Sequence, residues 1–250
     1  MNVWKRRPAA LLLFVCGLLL LSAPAYALMV RPVVIELTST GAASSSALEV
    51  VNDRNVPMTV EVKVQNLSLP EKGAPVLTPS SGDDFLVFPT IAKVDPGARQ
   101  VFRVRYIGDP NPAQGRLYMF STSELPVSNN PAGAAKAQVQ VLYSINSVVA
   151  VRPPKAKADI KVASVQRTTN EKGQAGLEIT FENDGNAHGF VGAGSMTLSD
   201  GSWKKSLDAD QMGKAFGLGL VPAASKRMMF VALPDAPPNG VIDASVKPAS

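Results

Sequence analysis

AKAQVQVLYSINSVVAVRPP, residues Ala135–Pro154, is the stretch that decides the fold of this 250-residue chain. Side chains two apart share a face of a strand. One face carries Val139, Val141, Tyr143, Ile145, Ser147, Val149 and Val151, apolar at every position but Ser147. The other carries Gln138, Gln140, Leu142, Ser144, Asn146, Val148 and Ala150, polar mainly at its N-terminal end. Strands in globular proteins usually run about 5–6 residues, and this one is expected to reach twice that. Two readings stand at this point. It is either a bent core strand shared by two packed sheets, or a strand that is partly an edge, kept apolar so that another chain docks on it.

Working outward, short apolar or alternating segments recur on both sides, and amphipathic helical periodicity is nearly absent. Upstream, strands are expected at Val30–Leu37, Ala47–Asn52, Met58–Asn66, Phe85–Phe88, Arg99–Tyr106 and Arg116–Glu124. The stretches between them (NDRNVP, LPEKGAP, PSSGDD, DPGA, GDPNPAQG) are rich in the residues that supply turn geometry. Seven strands at this spacing suggest an immunoglobulin-like sandwich. Pro153 and Pro154 cannot donate to a ladder, so the domain boundary falls there. Downstream, Ile160–Gln166, Leu177–Glu182, Phe190–Leu198, Arg227–Leu233 and Val241–Val246 read as a second, smaller sandwich, with one helical turn in DADQMGKAFG.

The N-terminus opens with Lys5, Arg6 and Arg7, an apolar run from Ala9 to Leu21, and then APAYA. This is the pattern of a secretory signal peptide over 1–27, cleaved after Ala27, and the run is shorter than the roughly 18 residues a membrane span needs. Removing it takes Lys+Arg from 25 to 22 against 20 Asp+Glu, a net charge of +2. No nucleic-acid partner is expected at that charge, and no membrane insertion after cleavage. The single cysteine, Cys16, lies in the signal, so an exported chain of this kind must hold itself together by its core. Catalytic and metal chemistry is thinly represented. His188 is the one histidine and sits in NDGNAHGF, where a capping or surface role is expected. Without cysteines or a second histidine no zinc site is expected. GFVGAGSM lacks the third glycine of a dinucleotide loop, and Asp83–Asp84 reads as a solvated loop. Neither an enzyme nor a cofactor is expected.

Several stretches together resemble the periplasmic chaperones of chaperone–usher pili. They are LEVVNDRN (Leu48–Asn55), FPTIAKVDPGARQVFRV (Phe88–Val104), RLYMFSTSELP (Arg116–Pro126), the long strand ending in VRPP, and ITFENDGNAHGFV (Ile179–Val191). The resemblance covers the whole chain after the signal. It implies an all-β protein of two immunoglobulin-like β-sandwich domains set at an angle with a cleft between them, at 28–152 and 155–250, hinged at 153–154. It also implies donor-strand complementation: a strand near 137–151 is lent to a pilus subunit that lacks its own last strand. Val139, Val141, Tyr143 and Ile145 fall on the donated positions. Burying four such side chains is worth about 1.5–3 kcal/mol each before ordering costs.

The family anchors the subunit's terminal carboxylate with two basic residues in the cleft. Arg31 is the nearest match for one, with Arg105 and Arg116 as alternatives; the other is usually a lysine where this chain has Val148. Pro89 and Arg103 match the family's usher-facing surface. The implied partners are pilus subunits and an outer-membrane usher, and the implied compartment is the periplasm. A rival reading is a secreted β-sandwich structural or adhesive module such as a pilus subunit. Such a module would usually start with a free donor segment and often carry a disulfide.

Overall fold

The structure is a computed structural model and describes residues 28–80, 84–126 and 141–248. The expected signal peptide and Val139 lie outside the described residues.

In the first half, the strands are β1 (Leu28–Arg31), β2 (Val34–Thr38), β3 (Ser45–Asn52), β4 (Met58–Ser68) and β5 (Val76–Pro79), then β6 (Phe85–Phe88), β7 (Ile91–Val94), β8 (Arg99–Tyr106), β9 (Arg116–Glu124) and β10 (Ser144–Arg152). They form two sheets, ordered β1-β3-β8-β6 and β2-β10-β9-β4-β5, with β7 also on β4. The inward positions of both sheets meet in one core that runs from Leu28 to Val151. Phe85 sits at its centre, edge-on to Tyr106, Tyr118 and Phe120 at centroid distances of 5.3, 4.8 and 5.0 Å. This is the favoured arrangement for aromatic quadrupoles.

The expected single strand Val30–Leu37 is two strands in different sheets. Pro32 supplies no N–H to a ladder, and the chain crosses there: β1 pairs with β3, and β2 pairs in parallel with β10. The peptide bond at Arg31–Pro32 is cis, as is that at Phe88–Pro89. The crossing also accounts for the one polar residue on the apolar face of the central stretch. Ser147 is buried and its hydroxyl donates to the Pro32 carbonyl at 3.1 Å.

The second half contains β11 (Ile160–Thr169), β12 (Ala175–Asn183), β13 (Gly189–Phe190), β14 (Ser195–Ser199), β15 (Lys204–Leu207), β16 (Leu220–Val221), β17 (Ser225–Ala232) and β18 (Asp243–Lys247). Its sheets are β11-β12-β17, β13-β16 and β15-β14-β18, around a separate core from Ile160 to Ile242. DADQMGKAFG is a two-turn helix, α1 (Ala209–Phe216), longer than the one turn expected. A capping box explains the extra length: Gln211 N–H donates to Asp208 Oδ1 at 2.9 Å, and the Gln211 side chain accepts from the Asp208 N–H. Met212 then anchors the helix in the core.

Each half ends a core strand on a buried asparagine followed by aspartate. Asn52 Nδ2 donates to the carbonyls of Val56 (2.9 Å) and Val94 (3.0 Å), and its Oδ1 accepts from Arg54 N–H (3.1 Å). Asn183 Nδ2 donates to Ala187 O (2.8 Å) and Pro222 O (2.9 Å), while Oδ1 accepts from Asp159 and Gly185 N–H at 2.9 and 3.0 Å. An amide with two donors and a two-lone-pair acceptor is suited to satisfying several loop groups at once. Asn183→Ala removes a hydrogen bond from each of these four backbone groups, of which Pro222 O keeps the Ser225 hydroxyl and the exposed Asp159 N–H can turn to water. Each buried orphan costs about 1–3 kcal/mol, so urea denaturation should show a loss of at least about 3 kcal/mol, with partial rescue by water filling the site counted against that figure.

Candidate functional site

β10 lies between β2 and β9, in register Val148↔Val34 on one side and Val148↔Met119 on the other. Both of its faces are apolar at the C-terminal end. Ser147, Val149 and Val151 point into the first core, and Ile145 packs against it. Ala150 and Val148 point the other way, into a cluster with Leu67, Leu117 and Met119 that is completed by Leu220 and Phe190 of the second half. The long strand is therefore a core strand at 145–151.

Ahead of Ser144 the ladder stops. Val141, Leu142 and Tyr143 belong to no strand and are 62%, 44% and 41% exposed. Three consecutive large apolar side chains in solvent are unusual beside a well-filled core. Of the four positions implied as donated, Val141 and Tyr143 are exposed, Ile145 serves this chain's own core, and Val139 falls outside the described residues.

The two halves meet through apolar and polar contacts. Beside the Leu220–Phe190 cluster, Gly115 N–H donates to Asn186 O at 2.8 Å, and Met228 N–H donates to Glu71 O at 2.7 Å. Arg227 donates to the Pro70 carbonyl, and its poorly solvated position lowers its pKa from the ordinary value. His188 is buried, its side chain 2% exposed, with Nε2 2.8 Å from Glu36 Oε1 on β2. The expectation of a capping or surface histidine is thus corrected: a long-range partner 152 positions away, invisible to local pattern, takes it into the interface. Glu36, a lone acid in VVIELT, was the available signal.

The candidate anchors part company. Arg31 on β1 lies on the outer face of the first sheet, its Nη2 3.0 Å from Glu49 Oε1. The pocket it lines, with Pro32, Ala47, Glu49 and Arg99, takes no residue from the second half. Arg105 on β8 stands opposite Leu86 on that same sheet. Arg116, at the start of β9, lines a pocket of about 350 Å³ whose walls include Leu67, Leu69 and Tyr118 of the first half and Pro222 and Ser225 of the second. Its Nη1 is 3.9 Å from Asp84 Oδ2.

Asp84 in turn accepts from the Tyr118 hydroxyl at 2.7 Å. The expected solvated loop at Asp83–Asp84 is therefore corrected at Asp84. Burial first, and then the bond to Asp84, hold the Tyr118 phenol well above its ordinary pKa, so it stays a donor. Val148, at the place of the usual lysine, packs between the halves, and its neighbour on β2 is Val34.

Arg103 on β8 faces out from the first sheet, and its cross-strand neighbour is Phe88, 70% exposed and followed directly by Pro89. Leu86 and Arg105 form the next row. The outer face is thus a patch of arginines and uncovered apolar side chains.

Residues 28–157 match the family model described as pili and flagellar-assembly chaperone, PapD N-terminal domain. The chain belongs to this chaperone family. It is a family of pilus-assembly chaperones, not of enzymes. No curated protein matches the chain by sequence, but solved chaperones share its fold. The class 5 fimbriae chaperone CfaA is 13% identical, with 88% of this chain and 100% of that one covered at a TM-score of 0.53. The E. coli chaperone DraB is 18% identical, with 90% and 96% covered at 0.52. The SafB chaperone–SafA pilin complex of Salmonella enterica matches at 16% identity, with 84% and 86% covered at 0.50.

These relatives establish two immunoglobulin-like domains, the arrangement that the two separate cores express here. Among the described residues, no group of three or more His, Cys, Asp or Glu could hold a metal, and no helix is long and apolar enough to cross a membrane.

Proposed function

We propose that this chaperone acts in the periplasm, where it completes pilus subunits by lending them the segment ahead of β10 and hands them to an outer-membrane usher. One observation carries the reading. The face of β10 that fills the protein's own core at 145–151 continues, with the same alternation, into the exposed Val141 and Tyr143. A strand extended over 139–143 would carry that apolar face beyond the first domain and into a partner's core. Recognition of this kind is β-augmentation: ladder hydrogen bonds give affinity, and alternate side chains in pockets give selectivity. The neighbouring SafB structure, a chaperone in complex with a pilin, supports it.

Arg116 is the favoured anchor for the subunit's terminal carboxylate, since its pocket is walled by both domains, while the pocket of Arg31 takes no residue from the second and Arg105 stands opposite Leu86 on the first sheet. Val148 packs, partly buried, against the apolar cluster between the halves and supplies no basic group at the family's second anchor position. Pro89 and Arg103, with Phe88 beside them, form the proposed usher-facing patch.

Three substitutions and one control test these assignments with a recombinant pilus subunit that the wild-type chaperone captures. Val141→Asn should abolish its capture, because an orphaned polar group in the subunit core costs about 1–3 kcal/mol on top of the lost apolar burial. The melting midpoint of the free protein should hardly move, as Val141 is already solvated, and Gln140→Asn on the alternate face should capture normally. Normal capture by Val141→Asn would overturn the donor reading. Arg116→Gln should weaken capture by about 1.5–3 kcal/mol, the contribution of a charge-assisted hydrogen bond, measured by calorimetry; an unchanged affinity moves the anchor elsewhere. Arg103→Glu should capture subunits normally but lose binding to the usher's periplasmic domain in surface plasmon resonance, and retained binding would remove Arg103 from that surface.

A further inference from the structure

The exposed segment is not simply loose where it leaves the sheet. Glu124, the last residue of β9, donates its N–H to Tyr143 O at 2.8 Å, and Ser123 and Ser144 share a hydroxyl hydrogen bond of 2.9 Å. The Glu124 carboxylate is itself almost wholly buried, with 4% of its side chain exposed. One residue accounts for its charge: Arg54 Nη1 lies 2.8 Å from both carboxylate oxygens. The same guanidinium stands over the Tyr143 ring, 5.9 Å from its centroid.

Arg54 is held there by the chain before it. Its N–H donates to the side chain of buried Asn52, which also ties down Val56 O and Val94 O. Asn52, Arg54, Glu124 and Tyr143 thus form one connected path from the core to the root of the exposed segment.

The geometry points to Arg54 as a positioning residue that sets the register and exit line of the segment offered to the subunit. The inference rests on the donor reading above. Its physical content is specific. Side chains in a strand alternate, so a slip of one residue at Tyr143 would turn Val141 and Tyr143 to the wrong face. The Glu124–Tyr143 bond fixes which residue stands opposite β9, and Arg54 holds both partners of that bond from the side. A segment preset in this way loses less freedom on docking, and the saving falls on association. Sequence reading passed over Arg54 as part of the turn NDRNVP, because its two partners lie about 70 and 89 positions further on.

The experiment compares Arg54→Lys, Tyr143→Leu and the double variant, with the subunit used above. Lysine keeps a positive charge beside Glu124, but its compact ammonium cannot both pair with that carboxylate and stand over the ring as the broad guanidinium does. Stopped-flow association with Arg54→Lys should be roughly two- to fivefold slower, the size expected of an exposed cation–π contact, with dissociation unchanged. In the free protein, hydrogen exchange at the Glu124 amide should quicken, while amides in β12 stay as they were.

The double variant should associate no more slowly than Tyr143→Leu alone, because the two residues act through one contact. That coupling decides the matter even if Arg54→Lys lowers the melting midpoint. Unchanged association, or slowing that simply multiplies in the double variant, overturns the role of Arg54. Loss of capture in Val141→Asn beside normal behaviour of Arg54→Lys would fault Arg54 only. Normal capture by Val141→Asn would remove the donor reading and this inference with it.

Discussion

β10 has an apolar surface on each side, and both must be covered. Its odd positions close the core of the first domain, and Val148 and Ala150 close the interface with the second. Two ladders hold it, parallel to β2 and antiparallel to β9. Few strands can slip or bend when both faces and both edges are engaged. Position along β10 therefore determines everything that depends on it: where the first domain ends, how the second is mounted, and which side chains emerge at its other end. The emerging residues inherit their facing from the buried ones.

Mounting of the second domain relies on mixed contacts. The apolar cluster around Leu220 and Phe190 supplies area, while Glu36–His188, Gly115–Asn186 and Glu71–Met228 supply direction. Directional bonds at separate points resist rotation better than apolar area alone, which is indifferent to small sliding movements. The pocket at Arg116 exists only because the domains are held in this relation. In a family of pilus-assembly chaperones, a steady frame shared by both domains suits the task of holding another protein.

Much of this was legible before any coordinates. Alternation in Ala135–Pro154 marked the strand, Ser147 was visible as the one polar interruption, and the turn-rich stretches divided the chain into short strands. Other parts were not legible. β5, β7 and β15 passed unnoticed because VLTP, IAKV and KKSL are too short for alternation to stand out, and the ladder partners that make them strands lie elsewhere. Pro32 was read within a strand, though its missing N–H makes it the point where the chain changes sheets. Arg31 matches the family's anchor by position, and its outward facing on β1 beside Glu49 could be seen only once the ladder with β3 was in place.

By itself, the sequence determined the class of fold, most of the longer strands and the place of the long strand, which follow from local periodicity and turn chemistry, and the family likeness, which rests on the order and spacing of the matching stretches. The tertiary structure alone decided which charged side chains share a site. Arg116 with Asp84, Arg54 with Glu124 and Tyr143, and His188 with Glu36 are pairs separated by 32, 70 or 89, and 152 positions. A surface charge at a given place in a strand looks the same in sequence whether it faces solvent, a carboxylate or a second domain. Only closure of the sheets, driven by burial of the apolar faces, brings one particular partner within hydrogen-bonding distance.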